Sequence, residues 1–269
     1  MELSVNDTPA YLYTGGRPFD RQLPVVVLIH GAGHDHSVWN YQARRLAHHG
    51  FAVLAPDLPG HGRSQGSPLP TIEALADWVE ALLDAAGVVH AALAGHSMGS
   101  LVALQTAAQA PARITKLILI GSVAPMPVAP PLLEAAAHAR DAAHGMINQW
   151  SYTPASQLGA SPVPGISLTG LNQRLMERQR AGVLANDLAA CNAYLGGLDA
   201  AARIAVPCAM LCGERDQMTP RKAVKPLQEA LAKVPGGARM IVIKGAGHAM
   251  MAEAPDAVGD AMRGFLTSA

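Results

Sequence analysis

The chain has 269 residues, enough for one sizeable core or for one core carrying a modest insertion. Half of the residues are hydrophobic and 15% are charged, which excludes a disordered polar chain. Lys plus Arg equals Asp plus Glu, and no basic run occurs, so neither nucleic acid nor an anionic membrane is expected as a partner.

Met1-Glu2-Leu3-Ser4 carries neither a basic nor an apolar leader segment, so no signal peptide is expected, and a cytoplasmic location is the expectation. Leu3–Val5 and Tyr11–Tyr13 flank Asn6-Asp7-Thr8-Pro9 and predict an edge hairpin. Short apolar runs follow at Val25–Ile29, Phe51–Ala55, Ala91–Ala94, Lys116–Ile120, Cys208–Cys212 and Met240–Ile243, most of them ending near a glycine or proline. Runs apolar on both faces suit strands covered on both sides by helices, and none is long enough to span a bilayer. Between them, Thr71–Ala86 repeats Ile72, Leu75, Ala76, Val79, Leu82 and Leu83 at helical spacing, and Met98–Ala110 reads the same way. Thr219-Pro220 looks like an N-cap followed by a first-turn proline. This alternation predicts an α/β fold with a mostly parallel, twisted sheet.

One segment breaks the rhythm. The proline-rich stretch Ala124–Pro131 leads into helical patterns at Leu132–Trp150 and Leu171–Gly196, with a Pro/Gly/Ser-rich loop between them. Residues 123–205 are therefore expected to form a helical cap inserted into a core built from 1–122 and 206–269. Cys208 and Cys212 lie four apart in a strand pattern, about 13 Å by the strand rise, too far for a disulfide. With Cys191 they read as buried free thiols.

Gly95-His96-Ser97-Met98-Gly99 fits G-x-S-x-G, follows an apolar strand directly and opens a helix directly. That context is what exposes a serine hydroxyl on a sharp strand-to-helix turn; the pattern alone reads equally as a tight turn with a capping serine. His30-Gly31-Ala32-Gly33 follows the first long strand, where the Ala32 N–H would join that of Met98 as an oxyanion hole. A serine needs an imidazole to take its proton and a carboxylate to orient the imidazole. His248, in Gly245-Ala246-Gly247-His248, and Asp216, in Gly213-Glu214-Arg215-Asp216, each follow a strand and face the same sheet edge as Ser97. Glu214 is the competing acid. His34 and His36 around Asp35 lack a third ligand at a recognisable spacing, so no metal is expected.

Together these segments, with Asp57-Leu58-Pro59-Gly60-His61-Gly62-Arg63-Ser64 and Glu253-Ala254-Pro255, resemble the α/β-hydrolase superfamily along nearly the whole chain. The resemblance implies a capped serine hydrolase without cofactor. A serine nucleophile separates it from the aspartate-using dehalogenases and epoxide hydrolases of this fold. Ala249-Met250-Met251 after His248 departs from the tryptophan often found there in carbon–carbon hydrolases. Ser100 stands where many relatives have glycine or alanine.

The expected reaction is acyl transfer through an acyl-enzyme on Ser97, with activity falling at acidic pH as His248 takes a proton. A flat profile through the histidine range would count against that assignment. The expected substrate is a small or medium carboxylic ester or lactone. Met146, Trp150 or Tyr152 would line its acyl pocket, although the stripe from Leu132 through Ala136, Ala139, Ala143 and Met146 to Trp150 also suits simple packing on the core. Thioester or carbon–carbon hydrolysis, perhydrolysis, acyl transfer to an alcohol and a non-hydrolytic receptor role remain open at this stage. Acyl chain length and oligomeric state are not encoded in any motif.

Overall fold

The computed structural model describes residues 1–268. An N-terminal hairpin, β1 (Glu2–Val5) and β2 (Thr8–Tyr13), precedes β3 (Val25–Ile29), α1 (Asn40–His48), β4 (Ala52–Pro56) and α2 (Ile72–Ala85). β5 (Ala91–His96), α3 (Met98–Gln109) and β6 (Ile114–Ile120) follow. Six helices then intervene before the next strand: α4 (Pro130–His138), α5 (Arg140–Ser151), α6 (Pro154–Gln157), α7 (Leu168–Glu177), α8 (Val183–Ala193) and α9 (Gly197–Ala202). β7 (Cys208–Gly213), α10 (Arg221–Ala230), β8 (Arg239–Ile243), α11 (Met250–Glu253) and α12 (Pro255–Thr267) complete the chain.

The eight strands form one sheet in the order β1-β2-β4-β3-β5-β6-β7-β8. Strands β4 to β8 and β3 run parallel, whereas β1 and β2 pair antiparallel at one edge. The two-residue period of a strand sends alternate side chains into two cores. Val25, Val27 and Ile29 join one apolar cluster with α2 and α3. Val26 and Leu28 join the other, beneath α1 and α12. The chain steps from β3 outward to β4 and then back across to β5, so the carboxyl ends of β3 and β5 flank a topological switch point, where open parallel sheets bind ligands.

Four expectations change in detail. The helix expected over Leu171–Gly196 is α7 and α8, and Thr219 does not cap α10, whose N-cap is Pro220, because its hydroxyl is bound to Asp216. The hairpin turn is Asn6-Asp7 alone, both at positive φ (47° and 58°), and Thr8 and Pro9 already belong to β2. The helix expected over Leu132–Trp150 is two helices, because Ala139 leaves the helical region at φ −145°, ψ 63°. The buried apolar positions are therefore Leu132 and Ala135 on α4 and Ala143 and Ile147 on α5, while Ala139 is exposed. The three cysteines are buried, and burial pushes the Cys208 thiol up to about 12 and that of Cys212 to about 11. Among the described residues no helix is long and apolar enough to cross a membrane.

Candidate active site

Ser97 sits between β5 and α3 at φ 53°, ψ −120°, a conformation that side chains rarely adopt. Such strain persists only where the surroundings fix it, and its usual place is a functional turn. Here the flanking glycines fix it. A Cβ at Gly95 would lie 2.0 Å from the Gly99 carbonyl oxygen, and one at Gly99 would lie 2.2 Å from that of Ile29. Strand and helix thus approach so closely that only hydrogen fits between them. The Ser97 N–H donates to the Ile120 carbonyl (3.0 Å), and the Ser100 hydroxyl donates to the Ser97 carbonyl (2.6 Å). Ser100 is thereby a buried back-bonding residue, which accounts for a polar side chain inside an otherwise apolar helix.

His248 follows β8 and is 3% exposed. Its Nδ1 lies 2.8 Å from Asp216 Oδ2, so Nδ1–H donates and Nε2 carries the lone pair that a general base needs. Asp216 also accepts the Met218 N–H (2.9 Å), the Thr219 N–H (2.8 Å) and the Thr219 hydroxyl (2.6 Å). Burial alone would raise its pKa. The His248 imidazole and the bonds from His248 and Thr219 outweigh burial and hold the carboxyl well below the usual carboxylate range. Glu214, the competing acid, is exposed and accepts the Gly245 N–H instead.

The histidine reaches the serine turn through His96. The two imidazoles lie 4.7 Å apart, and His96 Nε2–H donates to the His248 carbonyl (3.0 Å). On the other side, a Cβ at Gly121 would lie 2.9 Å from His248 Cε1. Among the described residues the Ser97 hydroxyl makes no hydrogen bond to the ring. Catalytic contacts of this kind commonly tighten only with substrate bound.

The loop after β3 lies against the same serine: a Cβ at Gly31 would be 3.3 Å from Ser97 Cβ. His30 braces it from beneath, donating from Nδ1 to the Gly31 carbonyl (2.9 Å) and accepting the Leu58 N–H at Nε2 (3.1 Å). Burial pulls the His30 pKa down to about 4, which keeps the ring in that neutral form. Met98 opens α3, so its N–H has no partner within the helix.

Met146 and Trp150 pack on an apolar cluster formed by Leu132, Ile147, Leu184 and their neighbours, and Ala32 and Met218 close the same cluster. Tyr152 lies elsewhere. It is 5% exposed and lines a cavity of about 760 Å³ together with His34, Gln42, His96, Leu171 and Ala249. His96 and Ala249 are the residues immediately before Ser97 and after His248, so this cavity adjoins the site as well.

Asp35, His36 and Asp57 bring potential metal-ligating atoms within 4.8 Å of one another. Protein donors already occupy them. His36 donates to Asp57 (2.7 Å), and Arg178 and Ser37 donate to Asp35. The arrangement reads as a hydrogen-bonded brace between the loop and α7.

Long-range partners were not visible in the sequence. Glu253 accepts from Gly247 N–H (2.6 Å), Thr153 N–H, the Thr153 hydroxyl and the Ser156 hydroxyl (each 2.8 Å), which ties the His248 loop to α6. His61 of the Asp57–Ser64 segment donates from Nε2 to Asp187 on α8 (2.8 Å) and from Nδ1 to the Pro59 carbonyl (3.0 Å). Burial disfavours its charge, but the Asp187 carboxylate and these bonds outweigh burial, so its pKa is raised. Asp57 adds a smaller attraction, and the His30 ring lies 4.9 Å away. A raised folded pKa gives stability that is full below the unfolded value of about 6.5 and lost as pH rises through the folded value. Thermal unfolding of His61→Gln and wild type from pH 6 to pH 10 is expected to show a gap in Tm that narrows as pH rises. A gap independent of pH would contradict the charged pair.

A family model described as alpha/beta hydrolase family matches residues 26–261. The chain belongs to the alpha/beta hydrolase family. Against an uncharacterized protein of Mycobacterium tuberculosis it is 37% identical over 100 residues, which cover 37% of this chain and only 29% of that protein. The match thus spans less than a third of that relative's length. With a pimeloyl-[acyl-carrier protein] methyl ester esterase of Sodalis glossinidius, this hydrolase-family chain shares 32% identity over 247 residues, covering 86% of the chain and 87% of the relative. The crystal structure of an enol-lactonase from Burkholderia xenovorans superposes with a TM-score of 0.87 at 25% identity, covering 100% of both chains.

Proposed function

We propose that the chain is a serine hydrolase that cleaves a small or medium carboxylic ester or lactone. The observation that carries this reading is a buried imidazole with Nδ1 held 2.8 Å from a buried carboxylate, packed on the His96 ring that directly precedes a serine at φ 53°. Ser97 Oγ attacks the carbonyl carbon while His248 Nε2 takes its proton. The Ala32 and Met98 amides hold the tetrahedral oxygen, and Asp216 stabilises the imidazolium. Collapse breaks the bond to the leaving oxygen, which receives the proton from His248, and an acyl-enzyme remains. Water attacks that ester with His248 again as base and releases the acid. Ester and lactone chemistry in the names of the Sodalis and Burkholderia relatives supports the substrate class.

We take residues 123–205 as a cap over this site, with the Met146 and Trp150 side of its apolar cluster receiving the acyl group. The test is a panel of activated esters and lactones of increasing acyl length on wild type and Ser97→Ala. An optimum at short or medium length, lost entirely in the variant, is the expected result. Trp150→Ala is expected to shift the optimum to longer chains, changing kcat/KM for long relative to short esters by about tenfold, the worth of one or two methylenes in an apolar pocket. An unchanged chain-length profile would remove Trp150 from the pocket.

A further inference from the structure

The turn that carries Ala32 is gripped from the cap. The His34 N–H donates to the Gly31 carbonyl (3.3 Å), which makes Ala32 and Gly33 its two central residues. Gly33 has φ +65°, the mark of a type II turn. Type I and type II turns differ mainly by a flip of the central peptide, here the one joining Ala32 to Gly33. Whatever holds the Gly33 N–H therefore selects between them. Asp187 Oδ2 accepts that N–H at 2.8 Å, from α8 and 154 residues away in sequence. The carboxylate is 1% exposed, and the same oxygen accepts His61 Nε2–H. Both His61 nitrogens face acceptors, so the ring is an imidazolium that balances the buried charge.

We propose that Asp187 is a positioning residue for the oxyanion hole, holding the turn so that the Ala32 N–H points at the developing negative oxygen. The proposal rests on the acyl-enzyme mechanism above. The grip falls on the peptide next to the one that carries the Ala32 N–H, and by fixing ψ of Ala32 and φ of Gly33 it anchors the turn on which that N–H sits. The cap is anchored to the core independently, by Arg180 to the Ser64 and Gly66 carbonyls and by the Tyr194 hydroxyl to Gln105. A carboxylate serving only to dock the cap would have no need of this peptide.

The experiment compares wild type, Asp187→Ala, Asp187→Asn and Arg180→Ala, the last removing a cap anchor whose bonds go to Ser64 and Gly66 and not to the turn. Each is assayed for kcat and KM on an activated ester and for inhibition by a boronic acid, which forms a tetrahedral adduct on a serine nucleophile. Removing an oxyanion donor costs about 100- to 1,000-fold in kcat, and misaiming one should cost less, about 10- to 100-fold. Asp187→Ala is expected to show that loss in kcat and a matching loss of boronic acid affinity, with KM little changed. Asp187→Asn, whose carboxamide oxygen still accepts the Gly33 N–H, should recover most of both, and Arg180→Ala should match wild type. Unchanged kcat in Asp187→Ala, a loss confined to KM, or equal losses in Asp187→Ala and Arg180→Ala would overturn the proposal. If Asp187→Ala does not fold, Asp187→Asn carries the test through a smaller loss in kcat and boronic acid affinity that Arg180→Ala lacks; equal values in the two would overturn it. Turnover surviving in Ser97→Ala would instead defeat the mechanism itself, a result separable from any of these.

Discussion

Replacing Ser97 with alanine is expected to lower kcat by about 10⁴- to 10⁶-fold, the range seen when a triad nucleophile is removed. The size of the effect follows from mechanism: without Oγ no acyl-enzyme forms, and what remains is substrate held beside two amides and a base. The fold should survive. Ser97 is only half-buried, and the turn is set by the close contacts of Gly95 and Gly99 and by backbone bonds to Ile120 and Ser100. Alanine at φ 53° is no more strained than serine, so the change in stability should stay within about 0.5 kcal/mol. A folded Ser97→Ala with turnover within tenfold of wild type in a stopped assay would rule out the serine.

The second large effect is expected for Asp216→Asn, and the hydrogen bonds dictate its cause. Oδ1 of Asp216 accepts two backbone N–H groups, from Met218 and Thr219. An asparagine must keep its oxygen there, which turns its NH₂ toward His248. An NH₂ group cannot accept from Nδ1–H, so the imidazole shifts its proton to Nε2 and loses the lone pair that Ser97 requires. The Thr219 hydroxyl can rotate to accept the NH₂, so packing is kept. The expected result is a loss of about 10⁴ in kcat with nearly unchanged KM and Tm. A loss of less than about tenfold would show that another group orients the ring.

Much of this site is legible in the sequence because its parts are local. Each catalytic candidate lies just past an apolar run and beside glycines, and the alternation of such runs with helical patterns puts them in one parallel sheet with their carboxyl ends on one edge. Asp216 is separable from Glu214 only in three dimensions, where one carboxylate is buried on the imidazole and the other faces solvent. The helical insertion is less legible. Alanine-rich stretches favour helix throughout, so nothing in Leu132–Trp150 marks the break at Ala139. Asp187 looks like an ordinary helix carboxylate, since its partners Gly33 and His61 lie 154 and 126 residues away, and nothing in the Glu253-Ala254-Pro255 segment marks the bond to Thr153. Side-chain bonds across 100 residues or more leave no periodic trace for a single sequence to show.

The central claim is that Ser97 becomes the covalent nucleophile through His248. The direct measurement is labelling with a fluorophosphonate, read by intact mass and peptide mapping on wild type, Ser97→Ala and Asp216→Asn. One adduct per chain on the peptide containing Ser97, absent from Ser97→Ala and much slower in Asp216→Asn, is the predicted outcome. Full-rate labelling of Ser97→Ala, or an adduct mapped to any other residue, would contradict it.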